Sequence, residues 1–299
     1  MKPPRPTLRN WISITALGLI WGGTFMVVVL ALRGYGPVTV AAARTTLGTL
    51  ALLGMVLIWR KSWPTWSPTL WFYIVCTGIL SSALPFFLLS WGQQFVPSAF
   101  AGLSMATLPL FVLPLAHVFL PDERLMWHRT LGFGLGFVGA LVLLAPDLSG
   151  GASGDQTLAR LACLAAALCY ACASILTRKC PPIDSTVLSM LTLAVGTAVL
   201  LPAMILTEGI PAVAPMTPTL SVLLLGLVPT GFAALLRTHT IRTAGPGFMT
   251  LTNYQVPLWS MVFGVLILGE TLPGRFFIAL GLILTGLLIS QWRAFGSPS

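Results

Sequence analysis

Ten stretches of the chain, each close to twenty residues long and almost free of charge, are separated by short polar breaks. They cover approximately 11–31, 38–58, 69–90, 98–119, 129–146, 157–177, 186–206, 219–237, 246–268 and 275–292. About 20 apolar residues carry a helix across the roughly 30 Å hydrocarbon layer of a bilayer. Lipid offers no partner to backbone N–H and C=O groups, so a spanning segment is either a helix or a strand of a closed barrel. The apolar runs are continuous, without the in–out alternation of barrel strands. The pattern predicts an all-α polytopic membrane protein with ten transmembrane helices.

The pattern also repeats. "LSMATLPLFVLPLAHVFLPDERL" at 103–125 and "LTNYQVPLWSMVFGVLILGETL" at 251–272 superimpose with Pro109 on Pro257 at an offset of 148. Glu123 then falls on Glu270, Gly134 on Gly281 and Gly139 on Gly286, all at 147. Pro85 and Pro229 lie in the third helix of each half, and Trp21 corresponds to Tyr170. The chain therefore reads as a duplicated five-helix unit: residues 1–148, a polar linker "SGGASGDQ" at 149–156, and residues 157–299, forming one structural unit. Because five is odd, the second copy must enter the membrane upside down. Inverted repeats related by an axis in the membrane plane allow a midplane site to be exposed to either side in turn.

Composition sharpens this reading. The chain is 56% hydrophobic and 8% charged, against about a quarter charged in soluble domains. With the N-terminus inside, the inner ends hold Lys2, Arg5, Arg9, Arg60, Lys61, Arg124, Arg129, Arg178, Lys179, Arg237, Arg242 and Arg293. The outer ends hold Arg33, Arg160 and Arg275. This asymmetry satisfies the positive-inside bias and puts both termini in the cytoplasm. The net charge of +9 thus reflects insertion, with contact to anionic lipid accounting for the rest and no support for nucleic-acid binding. The first segment is longer than a cleaved signal's apolar region and is expected to be retained. The five cysteines read as reduced packing residues, with no metal-ligand spacing.

No GxxxxGK[ST] loop exists to drive transport with ATP. The GxGxxG formed by Gly134, Gly136 and Gly139 lies within an apolar helix, where no nucleotide fingerprint can operate. Gly132 with Gly136, and Gly18 with Gly22, are GxxxG faces for close helix contact. No cofactor or metal site is expected.

"WGGTF" at Trp21–Phe25, the "P…GE" ending of the second quoted stretch, its degenerate copy in the first, and the glycine-spaced helices that follow resemble the drug/metabolite transporter superfamily. Within it, the chain is similar to the ten-helix EamA-type exporters, and its length, short tails and tryptophan content are most like amino-acid exporters of the bacterial inner membrane. The resemblance covers nearly the whole chain. It implies export of a small molecule, with helices one, three, four, six, eight and nine around a central cavity and helices five and ten bracing the outside. "PDERL" departs from the Gly-Glu pattern and weakens the turn in the first copy. The superfamily also includes carriers of nucleotide sugars and drugs, so substrate class stays open. An intramembrane enzyme or a sensor is the competing class, although neither a nucleophile–base pair nor an output domain is visible. Oligomeric state is not readable, and a monomer suffices.

Individual residues then take candidate roles. Pro85, Pro109, Pro229 and Pro257 each remove a helix hydrogen bond, and act either as packing kinks or as hinges beside a cavity. Asn253, Tyr254 and Gln255 form the densest uncharged polar cluster of any span. They are either interhelical glue or a recognition site for amino and carboxylate groups, faced by Ser104, Met105 and Thr107. Trp21, Thr24, Phe86, Trp91, Tyr170 and Trp259 could form an aromatic surface for a side chain. Arg44 is the charge well inside a span; it either snorkels outward or attracts a carboxylate in the pathway. His117 and His239 read as interfacial. No carboxylate lies deep in any span. Glu123 and Glu270 are expected to cap the helix that follows each of them.

Overall fold

In the computed structural model of the protein, residues 7–119, 127–148, 154–244, 246–249 and 251–296 are described. They form ten helical rods. In chain order these are α1 (Leu8–Leu32), α2 (Pro37–Ile58), α3 (Pro68–Gly78 continuing through Ile79–Ala83 into Leu84–Gly92), α4 (Ser98–Met105 and Leu108–Phe119) and α5 (Trp127–Leu148). The second set is α6 (Gly154–Lys179), α7 (Ser185–Thr207), α8 (Met216–Gly226 continuing through Leu227–Phe232 into Ala233–Ala244), α9 (Pro246–Met249 and Thr252–Leu268) and α10 (Gly274–Gly296). α6 starts three residues ahead of the expected span; the rest of the expected linker, 149–153, lies outside the described residues.

Local chemistry sets the boundaries. Pro37 and Pro68 occupy first-turn positions, where a missing N–H loses nothing, and Ser67 Oγ accepts from the Leu70 N–H at 3.1 Å. Asp184 caps α7 by accepting from the Thr186 and Val187 N–H groups. Gly269 closes α9 with φ at +70°, in the left-handed region that a Cβ disfavours.

Helix packing reveals the symmetry. α1 lies against α9 and α8, and α6 lies against α4 and α3; α2 pairs with α7, α5 with α10, and α4 with α9. Replacing each helix by its counterpart five places along maps this set of pairs onto itself. The fold is therefore two inverted five-helix repeats related by a twofold pseudo-axis, and the helices on that axis, α2 with α7, α4 with α9 and α5 with α10, pack on their own copies. Outward-facing side chains are apolar, with Leu206 85% and Ile58 78% exposed, as befits a surface solvated by lipid. Trp66, just before α3, and Trp71, in its first turn, stack at 5.0 Å between centroids, an arrangement suited to a membrane–water interface.

The α5–α10 seam depends on missing side chains: a methyl at Gly132 would overlap the Gly286 carbonyl and Ser290, and one at Gly139 would meet Ile283. The two backbones approach closely there, as in other small-residue membrane contacts. Gly18 and Gly22 do the same for α1 against α9, seating Gln255 and Trp259 respectively.

The third helix of each repeat changes gauge partway. Pro85 cannot donate to the Ser81 carbonyl, and the ladder just before it lengthens to a π turn, with the Leu84 N–H reaching Ile79 O. In α8 the π turn contains Pro229, and Thr230 Oγ1 donates to the stranded Leu225 carbonyl at 3.0 Å. In α4 the helix breaks at Ala106–Thr107, just ahead of Pro109, whereas Pro257 sits inside a continuous segment of α9.

Candidate functional site

Between the repeats lies a cavity of about 500 Å³. Its floor is formed by Phe25, Val28, Leu89 and Gln93, all buried, toward the end of the bundle where α1 and α3 finish. Its mouth carries Ser174, Thr177 and Arg237, all exposed, near the end where α6 and α8 finish. The cavity is thus accessible from one end of the bundle and closed at the other.

Six of the ten candidate binding residues come together on its wall: Trp21, Thr24, Phe86, Met105, Tyr170 and Asn253. Arg44 and Pro229 join them. Trp21 Nε1–H donates to the Pro229 carbonyl at 3.3 Å, so the gauge change in α8 supplies the acceptor that fixes the indole of α1. The Arg44 guanidinium carbon lies 3.9 Å from the Phe86 ring centroid, a cation–π contact. Met105 and Asn253, counterparts in the two repeats, each stand four residues before a proline, and their carbonyls lack the usual i+4 donor. A wall lined in this way has acceptors available without any acidic side chain.

The other four candidates face elsewhere. Ser104 is fully buried and donates to the Phe100 carbonyl at 2.9 Å. Thr107, read with it as part of the opposing wall, donates to Ser104 O at 2.6 Å. Gln255 and Trp259 are seated against the glycines of α1, and Trp259 stacks on Phe263 at 5.9 Å. The Tyr254 hydroxyl is buried without a hydrogen-bond partner among the described residues. Successive residues on a helix point about 100° apart, so Asn253, Tyr254 and Gln255 cannot all face one cavity.

Glu270 does not cap the helix after it. Gly269 turns the chain so that the Glu270 carboxylate reaches across to α4 in the other repeat, accepting from the Ser98 N–H at 2.6 Å and the Ala99 N–H at 3.1 Å. A negative charge at a helix N-terminus satisfies orphan donors and complements the helix dipole. Gly264 makes room, since a Cβ there would strike the carboxylate. Glu123, its counterpart, lies outside the described residues. Glu208 at the end of α7 does the equivalent service for α2, accepting from the Val38 N–H at 2.9 Å and from the Thr39 N–H and hydroxyl at 2.8 and 2.6 Å.

The profile of the EamA-like transporter family matches the chain twice, over residues 10–145 and 157–292, once per repeat. The chain belongs to this family. Among similar proteins, the inner membrane transporter YedA of Escherichia coli (strain K12) is 26% identical over 288 residues, covering 95% of this chain and 91% of YedA. A probable terminal-alkyne amino-acid exporter of Streptantibioticus cattleyicolor is 27% identical over 287 residues, 92% of this chain and 91% of the relative. A solved crystal structure matches with a TM-score of 0.65 at 24% identity, over 97% of this chain and 99% of that one, which shows a shared fold. The protein is thus an EamA transporter of small molecules, set in the lipid bilayer.

Several residues of the EamA cavity carry no obvious mark in the sequence. Ser81, Gln93, Ser174, Thr177, Ser189 and Thr230 are uncharged polar residues within or at the ends of apolar runs, and only placement beside a proline, as for Thr230, or on facing turns could have singled them out. Arg237 counts as a topological charge at a helix end, yet α8 continues to Ala244 and carries Arg237 into the cavity wall.

Proposed function

We propose that this protein exports amino acids or similar small zwitterionic metabolites across the bacterial inner membrane by alternating access. Both tails would lie in the cytoplasm, so that the cavity mouth faces the cytoplasm and the structure represents the loading state. The observation carrying this reading is the cavity itself: it lies between inverted repeats, is walled by both, and is open at one end only, as expected of a midplane site presented to one side at a time. The distribution of Lys and Arg supports the orientation. The mixed wall of aromatic rings, hydroxyls, an amide and proline-freed carbonyls suits a compact ligand with a polar head and an apolar body. The sequence's likeness to the bacterial amino-acid exporter YddG, and the relative named as an amino-acid exporter, point to the same substrates.

Substrate would enter among Ser174, Thr177 and Arg237 and settle against Trp21, Tyr170 and Asn253. Release would require the contacts of Glu270 and Glu208 to part while the mouth closes. The prolines and π turns of α3, α4, α8 and α9 would be the hinges. The deciding experiment is flux from proteoliposomes loaded with labelled amino acids, nucleotide sugars or quaternary amines. Saturable amino-acid flux reduced about tenfold or more by Asn253→Ala, one lost hydrogen bond to a charged ligand group being worth about 1.5–3 kcal/mol, supports the reading. Flux restricted to another panel member removes it.

A further inference from the structure

Arg44 stands in the cavity wall without an acid to answer it. No Asp or Glu is among the described residues lining the cavity, and no carboxylate lies within ion-pairing distance of Arg44 among the described residues. Two contacts hold the guanidinium in place. It sits over the Phe86 ring at 3.9 Å, and its Nε–H donates to Thr230 Oγ1 at 3.4 Å. The Thr230 hydroxyl is itself anchored on the Leu225 carbonyl that Pro229 leaves free. The ring fixes one face and the hydroxyl one edge.

A guanidinium has five N–H donors in a planar fork. Nε uses one; the four on the Nη atoms have no partner among the described residues. A pre-oriented fork with a free outer edge matches the two oxygens of a carboxylate, a geometry an ammonium cannot reproduce. Inside a membrane protein a cation held away from water is tolerated where it meets a counter-charge or lines a pathway. An ammonium group entering the same cavity would find hydroxyls, amides, carbonyls and the faces of Trp21 and Tyr170 but no carboxylate among the described residues, and Arg237 at the mouth adds a second positive charge on the way in.

We infer that Arg44 makes the carboxylate, and not the amino group, the feature by which this cavity selects its substrate: it takes small monocarboxylates with or without an α-amino group and rejects cations that lack a carboxylate. This rests on the transport reading above and narrows its substrate class.

The test uses the purified full-length protein in detergent and four probes sharing one side chain: phenylalanine, phenylpropanoate, phenethylamine and phenylalaninamide. Ligand-induced shifts in melting temperature, titrated to apparent Kd, are compared for wild type, Arg44→Lys and Arg44→Gln. Phenylalanine and phenylpropanoate are expected to stabilise the wild type while the amine and the amide do not. Arg44→Lys, which keeps the charge but loses the fork, should weaken both acids about tenfold or more, and Arg44→Gln should abolish the shift. The wild-type ranking needs no variant, so a folding defect in either substitution leaves the inference exposed to test. Stabilisation by the amine or amide equal to that by the acids, acid binding unchanged in Arg44→Gln, or no binding of either acid would each overturn it. Arg44-dependent binding of phenylpropanoate without phenylalanine would remove the amino-acid reading and overturn the part of this one that admits an α-amino group, leaving the carboxylate as the selected feature. Phenylalanine binding indifferent to Arg44 would do the reverse.

Discussion

The two ends of the helical bundle are tied together differently. At the closed end, each acid reaches across the repeat boundary: Glu270 onto the first turn of α4, and Glu208 onto the first turn of α2. Tyr35 adds a third tie, its hydroxyl meeting Thr219 Oγ1 at 2.9 Å and accepting from the Ala214 N–H at 3.2 Å. At the open end, Asp184 spends its carboxylate mainly on its own helix, and also meets Lys61 Nζ at 2.9 Å. Asn10 Nδ2 donates to Thr243 Oγ1 at 2.6 Å there. The contrast teaches that closure at one end is built from helix caps borrowed from the other repeat. Parting the repeats at that end uncaps two helices at once, a discrete step that favours two states over a continuum.

Breaking the Glu270 tie should have the largest effect. Glu270→Ala strands two N–H groups at the start of α4, where Ser98 and Ala99 are fully buried, and each unsatisfied buried donor costs about 1–3 kcal/mol. A single cysteine introduced at Val28 on the cavity floor, in a background without the five native cysteines, should react with a membrane-impermeant maleimide from the closed side at least about tenfold faster in the variant. Equal reaction rates would show that Glu270 does not hold that end shut.

Glu208 makes one bond more but stands in solvent, where water competes for its oxygens. Glu208→Gln should therefore raise the same labelling rate by a smaller factor, about threefold for a loss on the order of 0.5–1 kcal/mol. An effect exceeding that of Glu270→Ala would reverse the ranking and with it the role of burial.

The smallest effect belongs to the open end. Burial pushes the Asp184 carboxyl up, but the hydrogen bonds from Lys61 and from the Thr186 and Val187 N–H groups outweigh it, leaving the group below the usual aspartate value. A lowered folded-state pKa stabilises the fold above the unfolded value of about 3.9, and that stabilisation is lost as pH falls through the lower folded value. Thermal melts of wild type and Asp184→Asn should differ by about 0.5 kcal/mol at neutral pH and converge as pH falls through that lowered folded-state value. A gap that persists in acid would assign the difference to packing instead of charge.

The architecture was largely legible because lipid imposes a simple rule: a span needs length and an absence of charge, and both are visible residue by residue. The duplication showed in Pro109 and Pro257, whose spacing survives where the surrounding side chains differ. Which face of a span looks inward was harder to read. In water, apolar residues mark the interior, but here both lipid and core are apolar, so nothing in "TNYQVP" separates Asn253, on the cavity, from Gln255, packed against Gly18. The Glu270 cap was hidden for another reason. Its partner residues Ser98 and Ala99 lie 172 and 171 positions away, and the αL turn at Gly269 that aims it can be anticipated as a turn but not as a direction. Arg237 was placed with the loop charges because its helix runs on through Thr238, His239 and Thr240, residues that look like a terminus.

The π turns at Ile79–Ala83 and Leu227–Phe232 leave a mark on how the chain can vary. Each turn houses one residue beyond what an α-helix of the same span would use. Elsewhere in these rods, deleting a residue would spin everything downstream by about 100° and bury the wrong side chains. At these two places a deletion can be absorbed by tightening the ladder, so natural length differences in the third helix of either repeat should gather there, leaving both rod tips in register.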